Sequence, residues 1–111
     1  MKTITRENLK TKLDRKEQVS LILAMGPGAY DLAHIPGSQR FENLSEVVGK
    51  LNPSDEVVVY SSTAYCHASF TAYNILRRLG FKKVYRYAGG LEDWQKAGYP
   101  LEGRMALSLR N

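Results

Sequence analysis

The sequence contains a single cysteine, Cys66, among its 111 residues. One cysteine cannot form a disulfide within the chain, so a secreted, disulfide-stabilised fold is not expected. No apolar stretch approaches the roughly 20 residues that a membrane-spanning helix requires. The first residues lead directly into charged sequence, without the apolar core of a signal peptide. These features predict a soluble cytoplasmic protein with no membrane partner.

Acidic residues are the minority among the charged residues. Sixteen Lys and Arg residues face 11 Asp and Glu residues, for a net charge of +5. The basic residues are scattered, as in the pairs at 77–78 and 82–83, so we interpret them as a solvated surface and expect no nucleic-acid partner. The two histidines share no ligand spacing with the cysteine, so neither a metal site nor a cofactor is predicted.

Apolar runs alternate with turn residues along the whole chain. β-branched and aromatic runs predict strands at 19–24, 57–60 and 83–87, with a short extended piece at 39–41. Helical spacing predicts helices at 6–13, 29–33 and 91–97, and another that ends before Gly80. A further helix is predicted to run through Leu51, with Asn43 or Ser45 as its cap. This pattern predicts one α/β domain over residues 1–111, with a mostly parallel central sheet flanked by helices on both faces.

The most informative stretch runs from residue 57 to residue 79. A strand passes through the polar loop Ser61-Ser62-Thr63-Ala64-Tyr65 to Cys66 and His67, and a helix follows. The expected apolar face of that helix comprises Phe70, Tyr73, Ile75, Leu76 and Leu79. Such a loop directs backbone N–H groups and a helix N-terminus at one point, which favours anions and thiolates. In parallel sheets, sites form at the carboxyl ends of strands, and we expect any chemistry here.

Five segments in order resemble a single-domain rhodanese-like (sulfurtransferase) protein. They are His34-Ile35-Pro36-Gly37-Ser38; the strand at 57–60 with its loop and Ser69; residues 79–84; Tyr87-Ala88-Gly89-Gly90-Leu91-Glu92-Asp93-Trp94; and Ala97-Gly98-Tyr99-Pro100-Leu101. Together they cover nearly the whole chain. The resemblance implies the rhodanese-like α/β fold.

The resemblance also implies an activity. Active relatives take a sulfane sulfur from a donor such as thiosulfate onto a cysteine, and pass it to a thiol or a sulfur-carrier protein. We therefore predict Cys66 as the catalytic nucleophile. The predicted substrate-binding residues are those around it: Ser61, Ser62, Thr63, Ala64, Tyr65 and His67. The expected partners are a small anionic sulfur donor and a thiol or sulfur-carrier acceptor.

The sequence departs from the family pattern at the site itself. The cysteine of active relatives usually follows the strand directly, where this chain has Ser61, and a serine cannot hold a sulfane sulfur. An Arg often precedes the serine at the helix start, where this chain has Ala68. A catalytically inactive domain acting as a binding or regulatory module is therefore the alternative. A redox sensor that uses Cys66 oxidation is a third possibility.

The remaining candidates have structural interpretations. His67 is expected to cap the helix or face solvent, and His34 to bridge backbone groups near a turn. Gly89-Gly90 is expected to form a tight turn close to the site loop. Core or core-edge positions are expected for the aromatic residues Phe81, Trp94 and Tyr99.

Overall fold

The computed structural model describes residues 1–41, 43–63 and 67–104. Helices and strands alternate in the order α1 (Arg6–Asp14), β1 (Val19–Leu23), α2 (Pro27–Leu32), α3 (Leu44–Lys50), β2 (Glu56–Tyr60), α4 (Ala68–Arg78), β3 (Lys83–Tyr87) and α5 (Gly90–Lys96). All three predicted strands are therefore present, within a residue of their predicted limits.

The strands form one parallel sheet in the order β1-β2-β3. Glu56, the first residue of β2, pairs with Val19 on one side and with Lys83 on the other. Single residues extend the sheet at both edges, since Gln39 bridges to β1 and Thr3 bridges to β3, both in parallel. The extended piece predicted near Gln39 is thus one further sheet position, and the parallel sheet is confirmed.

Side chains of β2 alternate between two apolar cores. Val58 and Tyr60 pack in the core that contains Leu9 of α1 and Trp94 of α5. The alternate residues of the strand, 57 and 59, pack in the other core, with residues of α3 and α4. Residues 57–60 of this strand are all fully buried, so helices cover both faces of the sheet as predicted.

Local signals start the helices. Thr5 caps α1 by accepting a hydrogen bond from the Asn8 N–H at 3.1 Å, and Asn43 caps α3 in the same way. The prediction for α2 was wrong by two residues, because Pro27 lies inside its first turn rather than in the preceding break. Proline is tolerated there because a first-turn N–H has no partner within the helix.

Helix α4 faces the core with a different set of residues than expected. Tyr73 and Leu76 are buried, but Phe70 is 46% exposed and Leu79 is 37% exposed, so the predicted apolar face was partly wrong. Ser69 is buried in the first turn instead.

In the described part of the chain, no helix has the length and apolar character needed to cross a membrane.

Candidate functional site

The predicted site begins where β2 ends. Ser61 follows the strand directly, and α4 begins seven residues later with His67 at its N-cap. Ala64, Tyr65 and Cys66 lie outside the described residues, so the predicted nucleophile is located by its sequence position, one residue before the N-cap. The described residues form the two ends of the loop and the structure beneath it.

A buried serine pair links the two ends of the loop. The Ser61 hydroxyl donates to Ser69 Oγ at 3.3 Å, and both residues are 1% exposed. Ser69 Oγ also accepts a hydrogen bond at 2.9 Å from Nε of Arg86 on β3. The residue that replaces the usual cysteine is therefore part of a buried hydrogen-bonded cluster, with its hydroxyl directed at the start of α4.

The N-terminus of α5 holds the backbone of the loop. The Leu91 N–H donates to the Ser61 carbonyl at 2.9 Å, and the Glu92 N–H donates to the Ser62 carbonyl at 2.8 Å. Gly90 has φ +68°, and a Cβ there would lie 2.5 Å from the Ser61 carbonyl oxygen. The predicted close approach of the glycine turn is confirmed.

The two adjacent glycines serve different purposes. Gly90 supplies the left-handed backbone conformation, which favours glycine. Gly89 has an ordinary φ of −63°, so only the second glycine of the predicted turn has a positive φ. A Cβ on Gly89 would lie 2.6 Å from Cβ of Asp93, so this residue makes room for the Asp93 side chain.

These contacts orient the peptide groups of the loop. In a trans peptide the C=O and the following N–H point in opposite directions, and no described peptide bond is cis. Because the Ser61 and Ser62 carbonyls point at α5, the N–H groups of Ser62 and Thr63 are directed away from it. Backbone N–H groups that share one direction can stabilise an anion.

His67 does not contribute a side-chain cap. Its side chain makes no capping hydrogen bond to α4 and is exposed, so the solvent-facing alternative holds rather than the capping one. The first turn of α4 carries no acidic residue, and the positive end of the helix dipole is therefore not neutralised from within the helix.

A second cluster supports the turn from β3 into α5. Asp93 accepts hydrogen bonds from the Tyr87 hydroxyl at 2.6 Å and from the Arg6 guanidinium at 3.1 Å. Burial raises the pKa of Tyr87 above its ordinary value, and the bond to the Asp93 carboxylate adds to the shift because it favours the protonated phenol. The turn that binds the loop is thus fixed from β3 and from α1.

The phenol of Tyr60, at the end of β2, braces the neighbouring turn. It accepts a hydrogen bond from the Ile35 N–H at 3.0 Å and donates to Ser38 Oγ at 2.9 Å. Burial raises the pKa of Tyr60 to about 12. The segment that follows α2 is therefore tied to the same edge of the sheet as the loop.

His34 has a structural role, but its ring contacts one backbone group rather than bridging two as expected. Its ring stacks on Tyr30 with centroids 3.9 Å apart, and its Nδ1 lies 2.7 Å from the Tyr30 carbonyl oxygen. The backbone of His34 pairs with that of Glu102.

Within residues 1–41, 43–63 and 67–104, no group of three or more His, Cys, Asp or Glu side chains is placed to hold a metal ion.

Arg86 is the site-side residue that sequence reasoning missed. The alternation of β3 places Arg86 on the same face as Val84, beside Val59 of β2. That signal is readable from the sequence. Its contact with Ser69 depends on how α4 packs over the strand, which the sequence pattern does not give.

Comparisons with known proteins agree with this architecture. The family model described as Rhodanese-like domain matches residues 5–97. YrkF of Bacillus subtilis, whose name describes a sulfur carrier protein, is 32% identical over 97 residues, which cover 82% of this chain and 49% of YrkF. MoeZ of Mycobacterium tuberculosis, whose name describes an adenylyltransferase/sulfurtransferase, is 29% identical over 102 residues, which cover 88% of this chain and 26% of MoeZ. The matched part of this chain spans about half the length of YrkF and about a quarter of the length of MoeZ.

Among solved structures, the rhodanese-like domain of the Anabaena protein Alr3790 superposes with a TM-score of 0.85 at 25% identity. The match covers 95% of this chain and 81% of that domain.

Proposed function

Because the chain belongs to the rhodanese-like family, we propose that it is a sulfurtransferase in which Cys66 carries a sulfane sulfur as a persulfide. The observation that carries the proposal is the orientation of the loop backbone. The Ser61 and Ser62 carbonyls are bound to α5, and the N–H groups that follow them therefore point to the other side, where the Ser62 N–H can stabilise a negative sulfur or an incoming anion.

The position of Cys66 fits this role. It lies one residue before the N-cap of an 11-residue helix whose first turn has no acidic side chain. Helix N-termini favour the thiolate over the thiol, and the thiolate is the nucleophile in sulfur transfer. The residues proposed to bind the donor are Ser62, Thr63, Ala64, Tyr65 and His67. Ser61 orders the base of the loop through its hydrogen bond to Ser69.

The reaction proceeds in two displacements. The Cys66 thiolate attacks the outer sulfur of a donor such as thiosulfate, the donor S–S bond breaks, and sulfite leaves with the electron pair. An acceptor thiolate then attacks the outer sulfur of the persulfide and releases the Cys66 thiolate. No external oxidant or reductant is consumed. The acceptor is a thiol or a sulfur-carrier protein, in line with the names of YrkF and MoeZ.

The basic character of the chain supports an anionic donor. The net charge is +5, and a positive field raises the encounter rate with small anions and acidic proteins.

Intact-mass measurement after incubation with thiosulfate tests the proposal. The parent is expected to gain one sulfur atom, cyanide or dithiothreitol is expected to remove it, and Cys66→Ser is expected to gain none. The double variant Ser61→Cys/Cys66→Ser is a control for the assay, because it moves the thiol to the position used by most active relatives.

The second candidate is a binding or regulatory module without catalysis. The burial of Ser61 and its hydrogen bond to Ser69 favour it, since the usual nucleophile position is filled by a stable structural contact. If iodoacetamide labels Cys66 while no sulfane donor adds sulfur to it, the transferase proposal fails and the module is favoured.

A further inference from the structure

Arg86 places its guanidinium against the first turn of α4, next to the described ends of the loop. Arg86 is half-buried on β3, and its Nε donates to Ser69 Oγ at 2.9 Å. Across the described ranges 1–41, 43–63 and 67–104, no carboxylate forms an ion pair with it. A positive charge in partly buried surroundings is screened less than one on the surface, so its field reaches the adjacent loop.

Hydrogen bonds through Ser69 and Ser61 connect Arg86 to both ends of the loop. Ser69 belongs to the first turn of α4, and Ser61 is the first residue after β2. Both serines are buried, so water cannot replace the Arg86 hydrogen bond if it is lost. The two ends of the loop would then have to move. Arg86 is also held from behind, because its backbone N–H donates to the Lys2 carbonyl and its carbonyl accepts from the Ile4 N–H.

We propose that Arg86 is a positioning residue for Cys66: through Ser69 and Ser61 it orders the base of the loop, and its charge favours the thiolate or persulfide form of the cysteine. The proposal rests on the proposed function in taking Cys66 as the reacting group. Ala68 provides no cation at the start of α4, and Arg86 supplies one from β3.

Other titratable and charged side chains lie at the described ends of the loop and on α5. His67 precedes α4 and is exposed, Glu92 pairs with Lys96 at 3.5 Å, and Asp93 pairs with Arg6 at 3.1 Å. All variants in the test retain these residues, so their contributions to a pH profile cancel in the comparison with the parent.

The test is the pH profile of Cys66 alkylation by iodoacetamide, which needs no sulfur donor. Arg86→Gln removes the charge but keeps an N–H donor, and we expect the midpoint of its profile to rise by about half a pH unit or more. Since only the thiolate reacts, this corresponds to about threefold slower alkylation below the midpoint. Arg86→Lys keeps the charge, and its midpoint is expected to remain near that of the parent.

Arg78→Met is the matched charge control. Arg78 lies at the opposite end of α4, about 15 Å along the helix axis from Ala68, and is exposed. We expect no shift for this variant. An unchanged midpoint in folded Arg86→Gln, or an equal shift in Arg78→Met, would overturn the proposal. So would an Arg86→Lys profile that matches Arg86→Gln, because the charge would then be irrelevant.

If Arg86→Gln does not fold, a second variant still tests the proposal. Ser69→Ala removes the acceptor that holds the guanidinium, and its midpoint is expected to shift upward as well, with no shift counting against the proposal. The alkylation profile and the thiosulfate mass gain are independent. Loss of the mass gain with a retained Arg86 effect would refute sulfur transfer alone, and the reverse result would refute the role of Arg86 alone.

Discussion

Gly90 is the residue at which backbone conformation and packing constrain the site most tightly. Gly90→Ala would place a Cβ 2.5 Å from the Ser61 carbonyl oxygen in a residue with φ +68°. We expect a loss of at least about 2 kcal/mol of unfolding free energy, because a side chain is strained in this conformation and the loop backbone must also move. Urea unfolding followed by circular dichroism measures the loss.

Gly49→Ala is the control for this prediction. Gly49 lies within α3, and a Cβ there meets no atom within 4 Å. Alanine has the higher helix propensity, so we expect a gain of about 0.5–1 kcal/mol. Equal effects of the two substitutions would show that the approach of Gly90 to Ser61 does not constrain the loop.

Individual residues show where sequence reasoning succeeded and where it stopped. The turn at Gly89-Gly90 could be predicted, because glycine pairs signal special backbone geometry. The separate purpose of Gly89 could not, since it depends on the Asp93 side chain folding back over it. Arg86 is similar. Its face on the strand follows from alternation, but its contact with Ser69 is a long-range packing result.

At the scale of elements, α1 begins at a side-chain cap that can be tested directly. Thr5→Ala removes the acceptor for the Asn8 N–H, and we expect a loss of about 1 kcal/mol because that donor is left without a partner in the helix. Chemical denaturation at neutral pH measures the change.

Thr11 provides the control within the same helix. Its hydroxyl donates to the Glu7 carbonyl from an exposed position in the second turn, where it caps nothing. Thr11→Ala is expected to change the unfolding free energy by less than about 0.5 kcal/mol, since alanine has the higher helix propensity. A loss equal to that of Thr5→Ala would contradict the capping interpretation.

The helices and strands could largely be predicted from the sequence. Which helix residues are exposed could be predicted less well. Strand limits followed from the β-branched runs, as for Val57 to Tyr60. The apolar face of α4 was overestimated, because Phe70 and Leu79 have the spacing of core residues yet lie partly in solvent. The spacing of apolar residues predicts which side of a helix faces the core. It does not predict how much of that side the rest of the protein covers.

At the scale of the whole molecule, stability is expected to fall in alkaline solution. Burial raises the pKa of Tyr60 to about 12, whereas an unfolded tyrosine titrates near 10. Between these values the unfolded chain loses the phenol proton and the folded chain keeps it, so the contribution is fully present below pH 10 and is lost as the pH rises. The expected loss is about 1.4 kcal/mol by pH 11.

Tyr60→Phe isolates this contribution. The variant also loses the hydrogen bonds to Ile35 and Ser38, but that cost does not change with pH. Urea unfolding from pH 8 to 11 is expected to show the gap between parent and variant narrowing as the pH rises. Parallel curves would mean that Tyr60 titrates equally in both states.

The overall architecture could be inferred from the sequence because the segments resembling the family occur in the family's order. The outcome at the site could not. Ser61 replaces the usual cysteine, and the sequence alone does not reveal that its hydroxyl is buried against Ser69. The fold could therefore be predicted because several segments agree with the family pattern. Whether the site transfers sulfur depends instead on the replacement at Ser61 and on the residues that contact it.

The hydrogen bonds from Leu91 and Glu92 to the loop also have a consequence for dynamics. These two amide protons are bound to the Ser61 and Ser62 carbonyls, so they exchange with solvent only when the base of the loop separates from α5. A ligand that binds only the closed loop makes that separation rarer. Hydrogen exchange at Leu91 and Glu92 thus provides a reporter of ligand binding to the loop, read from amides of α5 rather than from the loop itself.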